Sequence, residues 1–293
     1  MKNQIGLFGF GYTAQAFAKA MVNRGFTIYA TSRSRQVREA LTNENIKVLD
    51  FTKESAEQII ASCPFIVQSI PPNEQEIDPV LSRFKPLLID SAHRIQWIAY
   101  LSATSVYGDH QGEWVTEESE SLNPGTTGIL RLMAEKEWLY LYQHHKLPVH
   151  IFRLAGIYGP GRSSIERVLS NRTFSIYKPH QVFSRIHIED IIQVLDLSLH
   201  QPTPGELFNV SDDLPAPSHE VEAFTLNEMN LPPLPLVHID KINLSPAGLE
   251  FYRSNKRVSN TKIKTLLNFK PKYPTYKDGI KALVTAYQSS LKK

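Results

Sequence analysis

Short apolar runs recur along the first half of this chain. Each is followed by a stretch in which apolar residues return every three or four positions. Ile5 to Phe8, Phe26 to Thr31, Ile46 to Asp50, Phe65 to Ile70, Trp97 to Leu101 and Val149 to Leu154 read as six strands. Pro71 and Pro72 stop the fourth. Between the first two, Ala16, Phe17, Ala20 and Met21 share one helical face, and Gly25 follows as a helix stop. Nearly continuous apolar strands alternating with helices predict a buried parallel sheet with helices on both faces. Ligands of such sheets bind beyond the carboxyl ends of the strands, so the loops from Gly9, Arg33, Asp50, Ser69 and Ser102 are expected to line one crevice.

The pattern changes in the second half. Prolines crowd residues 202–235, and helical spacing replaces strand runs. Ser218 is expected to cap a helix running through Met229, and Asn260 another with Ile263, Leu266 and Leu267 on its apolar side. Thr275 and Asp278 have the spacing of a capping box. Ile280, Leu283, Val284, Tyr287 and Leu291 then trace one helix face. These elements suit a smaller, mostly helical lobe.

The chemistry concentrates at the start. Gly9, Gly11 and Ala14 form G-x-G-x-x-A directly after the first strand and at the opening of the first helix. The first glycine allows a tight turn, the second lets the backbone approach a pyrophosphate, and the small third residue lets the helix pack close. The helix N-terminus then presents free N–H groups to an anion. Gly6, Gly9, Gly11, Tyr12 and Thr13 are the expected cofactor residues of this turn. A dinucleotide site selective for NAD would carry an acidic residue at the end of the second strand. This chain has Ser32 and Arg33 there, with Ser34 and Arg35 beyond. Hydroxyls and a guanidinium favour a 2′-phosphate. The expected cofactor is therefore NADP, with NAD as the alternative. Asp50, Ser69, Ile70, Pro71 and Ser102, at the ends of later strands, complete the expected cofactor set.

Composition narrows the picture. At 293 residues, with 42% of them hydrophobic, the chain is long enough for a large core. The formal charge of +3 is scattered, and no basic stripe interleaves with aromatics, so no nucleic-acid partner is expected. No apolar run is long enough for a bilayer. The single cysteine, Cys63, permits no internal disulfide and fits a cytoplasmic protein. No metal-ligand spacing occurs.

Several segments together resemble the extended short-chain dehydrogenase/reductases of the NAD-dependent epimerase/dehydratase type, which act on nucleotide sugars. They are Leu101 to Asp109 with its Val106-Tyr107-Gly108, Val115 to Glu118, Leu122 to Pro124, Arg153 to Arg162, Arg185 to Asp190 and Leu207 to Ser211. The tail from Lys256 to Gly279 resembles the C-terminal lobe of an atypical bacterial branch. The resemblance implies a Rossmann fold, doubly wound around a seven-stranded parallel sheet whose last strand is Leu207 to Ser211. It divides the chain into a cofactor domain of residues 1–158 and 183–214 and a substrate lobe of 159–182 and 215–293. It also implies hydride transfer on a small-molecule substrate such as a nucleotide sugar, with Arg162 and Arg185 as phosphate clamps. Pairing of two chains through long helices is implied too, for which Met133, Trp138, Leu141 and Tyr142 are available, or else they are core.

The catalytic set of that family departs here. Its serine or threonine position holds Ala103, between Ser102 and Thr104. Its tyrosine and lysine positions, counted back from Ala134-Glu135, hold Thr127 and Arg131. A threonine hydroxyl needs a base beside it, and a guanidinium is not one. Thr104, Thr127, Arg131 and Tyr158 are the candidate catalytic residues. Tyr158 reads equally as a ligand contact or a structural hydroxyl, and His187 as a local cap or a substrate contact. Tyr107 is expected to pack, and Arg153 to sit in a buried pair. An oxidoreductase or epimerase is one expectation; an inactive NADP-binding sensor or regulatory module is the alternative.

Overall fold

A computed structural model describes residues 3–170 and 172–291, apart from the side chain of Ala247. Seven parallel strands form the central sheet: β1 (Gln4–Phe8), β2 (Thr27–Thr31), β3 (Ile46–Leu49), β4 (Phe65–Gln68), β5 (Trp97–Ala103), β6 (Val149–Leu154) and β7 (Leu207–Val210). Their order is β7-β6-β5-β4-β1-β2-β3. The chain winds outward from β1 to β3, then crosses back to lay β4 on the other side of β1. The carboxyl ends of β1 and β4 thus flank the point where the winding reverses, where α/β sheets open a crevice. The six strands read from apolar runs are all present, within two residues at each end.

Backbone contacts divide the chain into two compact units. The first comprises Met1–Val106, Thr126–Arg153 and Ile192–Phe208. It holds most of the sheet with α1 (Tyr12–Val22), α2 (Arg35–Leu41), α3 (Lys53–Ser62), α4 (Pro79–Asp90) and α5 (Thr126–His145). Helix α1 buries Thr13, Ala14, Phe17, Ala18 and Met21. Gly25, at φ +83°, turns the chain into β2. Phe8, Phe51 and Phe84 pack as an aromatic group with ring centroids 5.4 to 6.5 Å apart. Trp138 and Leu141 are fully buried core residues, whereas Met133 is exposed.

The second unit comprises Tyr107–Gly125, Leu154–Ile191 and Asn209–Lys293. It contains α6 (Ser164–Leu169), the start of α7 (Ile188–His200), α8 (Ser218–Glu228), α9 (Pro246–Arg253), α10 (Thr261–Leu267) and α11 (Tyr276–Ser290). Three pairs of short parallel strands accompany them: Gly156–Tyr158 with Arg185–His187, Ser175–Tyr177 with Leu236–His238, and Trp114–Val115 with Arg257–Val258. Strands of two or three residues carry no readable period, which is why the sequence pattern passes over them. Thr275 and Asp278 make the expected capping box on α11. The other two caps differ. Pro217, not Ser218, occupies the cap position of α8. Asn260 is at the cap of α10, but its side chain donates to Ser211 O and Asp213 Oδ1 instead.

Asn255 ties three stretches of this unit. Its N–H donates to Asp109 Oδ1, and its carbonyl accepts from His110 and Gly112 N–H, all at 3.0 Å. Its side chain accepts from Val182 N–H and donates to His180 O, both at 2.9 Å. Among the described residues no helix is long and apolar enough to cross a membrane.

Candidate functional site

The glycine turn after β1 is built as the motif requires. Gly9 has φ +91°, and its N–H donates to Thr31 Oγ1 at 3.0 Å, which fixes the turn to the end of β2. A Cβ on Gly9 would lie 2.8 Å from Ser69 Oγ and 3.0 Å from Ile70 Cγ1. A Cβ on Gly11 would meet nothing within 4 Å, so this backbone faces open space. Gly11 is the N-cap of α1 without any side-chain cap, and the first turn carries no acidic residue. An uncapped helix start behind an open glycine fits a pyrophosphate, because the first N–H groups and the dipole both favour an anion. Thr13 is buried and Tyr12 half-buried in that first turn. Gly6 serves differently. It lies inside β1, and a Cβ there would sit 2.4 Å from Ile59 Cγ2 of α3, so its missing side chain admits a helix.

The end of β2 carries the charges expected to choose the nucleotide. Arg33 is exposed, Ser34 caps α2 by accepting from Val37 N–H, and Arg35 pairs with Glu39 at 2.6 Å. A further arginine, passed over in the sequence reading, lies deeper. Arg38 Nη1 donates to Ser32 O at 2.7 Å and to Asp50 Oδ1 at 3.2 Å. It stands four residues after the cap, one turn into α2, and that spacing is the signal that reveals it. At the end of β4, Ser69 Oγ lies 3.1 Å from Phe8 O and 3.3 Å from Gly9 O. Ile70 is half-buried beside it and Pro71 is exposed.

The end of β5 carries Ser102, Ala103 and Thr104. Ser102 is buried, and its hydroxyl donates to Glu135 Oε1 at 2.5 Å. Glu135 also receives Arg153, with Nη2 to Oε2 at 2.7 Å. Arg153 thus sits in the expected buried pair. Side chains alternate along a strand, so Ala103 points away from Ser102. Thr104 begins a tight helical turn, Thr104–Tyr107. Thr127 is exposed in the first turn of α5. Arg131, one turn later on the same face, sends Nη1 to Leu101 O at 3.1 Å and leaves Nε buried without a hydrogen-bond partner.

The second unit gathers its own buried polar cluster. Tyr158 and His187 stand opposite each other in paired strands, with ring centroids 5.1 Å apart, edge to face. His187 Nδ1 accepts from Glu189 N–H at 3.2 Å, so the neutral ring carries its proton on Nε2, which has no hydrogen-bond partner. Burial pushes its pKa down to about 4. The Tyr158 hydroxyl is likewise buried and unpartnered, and burial pushes its pKa up. Asp212 is pushed up to about 8 by burial, against the pull of Arg185, and its Oδ2 has no partner. Asp190 is pushed up to about 6 by burial and accepts from Lys272 and Tyr273 N–H. Arg185 is buried, and its Nη1 donates to Phe183 O and Ala216 O at 2.8 Å each. Arg162 is exposed, next to the Gly159–Arg162 turn. Tyr107 is packed as expected, donating to Asn209 Oδ1 at 2.6 Å. Asp190, Asp212 and Glu135 were given no site role from the sequence; Asp190 carried a signal as the last residue of the Arg185 to Asp190 segment and Glu135 in its family spacing from Arg131, and Asp212 carried none. Among the described residues no group of three or more His, Cys, Asp or Glu gathers to hold a metal ion.

The seven-stranded sheet and the glycine turn define a Rossmann-like α/β fold. A family model described as NADP oxidoreductase, coenzyme F420-dependent, matches residues 4–92. Protein YeeZ of Escherichia coli (strain K12) is 39% identical over 137 residues, and the match spans 45% of each chain, less than half of that relative. Among solved structures, a conserved protein of unknown function from Silicibacter pomeroyi DSS is 39% identical, with a TM-score of 0.90 over 97% of this chain and 99% of that one. A dTDP-glucose 4,6-dehydratase from Bacillus anthracis, in complex with NAD, shares the fold at 18% identity, with a TM-score of 0.80 over 99% and 97% of the two chains. The chain belongs to the family of the Silicibacter pomeroyi protein and shares its fold with nucleotide-sugar dehydratases and epimerases.

Proposed function

We propose that this chain binds NADP(H) at the Gly9–Thr13 turn and transfers hydride to or from a nucleotide sugar or a similarly polar substrate. The observation that carries the reading is the open, uncapped start of α1 beside two arginines at the end of β2. Arg33 is exposed and able to close on a 2′-phosphate, and Arg38 neutralises the Asp50 carboxylate that would repel one. The cofactor itself supplies the hydride chemistry. Ser69 and Ile70 wall the turn. Arg131 holds the nicotinamide ribose with fixed donors in place of the family's lysine. Arg162 and Arg185 are the substrate-phosphate residues of this reading, although the donors of Arg185 are already shared with two carbonyls. Thr104, Thr127 and Tyr158 are the hydroxyls offered as proton donors. A homodimer belongs to the same reading, since Ile129, Met133 and Tyr140 leave an exposed apolar strip on α5.

One observation favours a second reading, an NADP-binding regulatory module without turnover. No tyrosine accompanies Arg131 on α5 at the family spacing, and the Tyr158 hydroxyl is buried with its pKa raised rather than lowered. A phenol in that state is a poor acid or base near neutral pH.

Calorimetry with NADPH and NADH tests the cofactor, and nicotinamide absorbance with a panel of nucleotide sugars tests turnover. NADPH binding tighter than NADH, with preference lost in Arg33→Ala, is the expected result. Binding of neither nucleotide refutes the reading. Tight binding with no turnover on the panel selects the module. Turnover lost in Tyr158→Phe assigns the acid to that phenol.

A further inference from the structure

Gln68 is the last residue of β4 and is completely buried. A buried amide must place both its acceptor and its donors. Its Oε1 accepts from Ile70 N–H at 2.9 Å. Its Nε2 donates to both carboxylate oxygens of Asp78, each at 3.0 Å. Asp78 caps α4 through Val80 and Leu81 N–H, at 2.8 and 3.0 Å. Its Oδ2 then receives Trp138 Nε1 of α5 at 2.9 Å. Burial raises the Asp78 pKa, and these donors oppose the rise.

Capping α4 needs only the first two donors. Gln68 and Trp138 extend the carboxylate's reach, and the chain of bonds ends at Ile70. That residue is where the glycine turn meets its wall: a Cβ on Gly9 would lie 3.0 Å from Ile70 Cγ1 and 3.2 Å from Ile70 N. The wall has no regular secondary structure of its own, because β4 ends at Gln68. Ser69 is tied to β1 by its own N–H to Phe8 O at 2.9 Å, whereas the Ile70 N–H is held by the Gln68 side chain.

We propose that Gln68, Asp78 and Trp138 are positioning residues for the dinucleotide turn, fixing Ile70 against Gly9 from behind. This rests on the reading that the Gly9–Thr13 turn binds a nicotinamide dinucleotide. The wall touches the part of the site that both dinucleotides share. Its displacement therefore weakens NADPH and NADH by the same factor, unlike loss of Arg33, which weakens NADPH alone.

The test uses the whole chain, with calorimetric titration of NADPH and NADH well below the melting temperature of each variant. Gln68→Met removes both side-chain bonds to Ile70 and the pair to Asp78. Trp138→Phe removes the indole N–H and part of the ring volume, and keeps an aromatic ring in the core. Each is expected to weaken NADPH and NADH by the same factor, about fivefold for the one bond lost in Trp138→Phe and at least that for Gln68→Met. If Gln68→Met fails to fold, Trp138→Phe carries the test. Variants that melt earlier yet keep wild-type affinities overturn the proposal, since the network would then hold only the core. Wild-type protein that binds neither nucleotide overturns the underlying reading and this proposal with it. Wild-type binding with unchanged variants overturns the proposal alone.

Discussion

Replacing Gly279 by alanine sets two effects of known size against each other. Gly279 lies in the first turns of α11, where alanine is favoured over glycine by about 1 kcal/mol in a helix. A Cβ at this position, however, would lie 2.2 Å from the Tyr158 hydroxyl, 2.7 Å from Cε2 and 2.8 Å from Cζ. Ordinary carbon contacts fall at about 3.5–4.0 Å, so the ring or the helix must retreat by roughly 1 Å. Tyr158 is a rigid ring, nearly fully buried and packed edge-on against His187. Overpacking of this kind costs about 1–3 kcal/mol, sometimes more. The clash outweighs the propensity gain, and Gly279→Ala is expected to destabilise by up to about 2 kcal/mol. For a chain of this size that is a fall of up to roughly 3 °C in melting temperature. Circular dichroism melts and urea titrations read both values. Tyr158→Phe removes a hydroxyl that has no partner and is expected to be close to neutral for stability. The double variant should recover only part of the loss, because two ring carbons still clash. A Gly279→Ala protein that melts at or above wild type refutes the packing argument.

Three further outcomes follow from the same geometry. The Asp212 carboxyl is raised by burial to about 8, so the folded chain keeps a proton that the unfolded chain releases near its usual value of about 4. Stability is then expected to fall between those two pH values by up to about 1.4 kcal/mol per unit, and Asp212→Asn, read by urea titrations across pH, should flatten that slope. Glu135→Gln strands the buried Arg153 charge and should cost about 3–5 kcal/mol in urea titrations, much of it restored when Arg153 also becomes methionine. Arg38→Ala unmasks Asp50, and calorimetry should show NADPH weakened by about tenfold with NADH affected less; equal loss would remove Arg38 from nucleotide choice.

The sheet was legible because its strands are covered on both faces and so appear as unbroken apolar runs. The capping box of α11 was legible because both partners lie within four residues. What stayed hidden depends on long-range meeting. Asp78 and Trp138 are 60 positions apart in sequence and Ser102 and Glu135 are 33 apart, so no local pattern pairs them. Gly6 looked like part of the phosphate turn because it precedes Gly9 by three residues. Only the approach of Ile59 shows that its smallness admits a helix. Among the candidate catalytic residues, Arg131 reaches Leu101 O near the end of β5, but nothing in the chain's pattern foretold that Ser102 would turn its hydroxyl toward Glu135.

Asn255 has a consequence for how the second unit breathes. Five hydrogen bonds to residues 109–112 and 180–182 converge on one short residue, so none of these loops can open without disturbing the others. Their amides should trade hydrogen for deuterium at one shared rate, as a single cooperative patch rather than as separate surface turns. Asn255 shares that hold with the bonds from Asp109 N–H to Leu122 O and from Gln181 Nε2 to Ser254 O, and insertions on either side are tolerable only while the small hub still reaches its spokes.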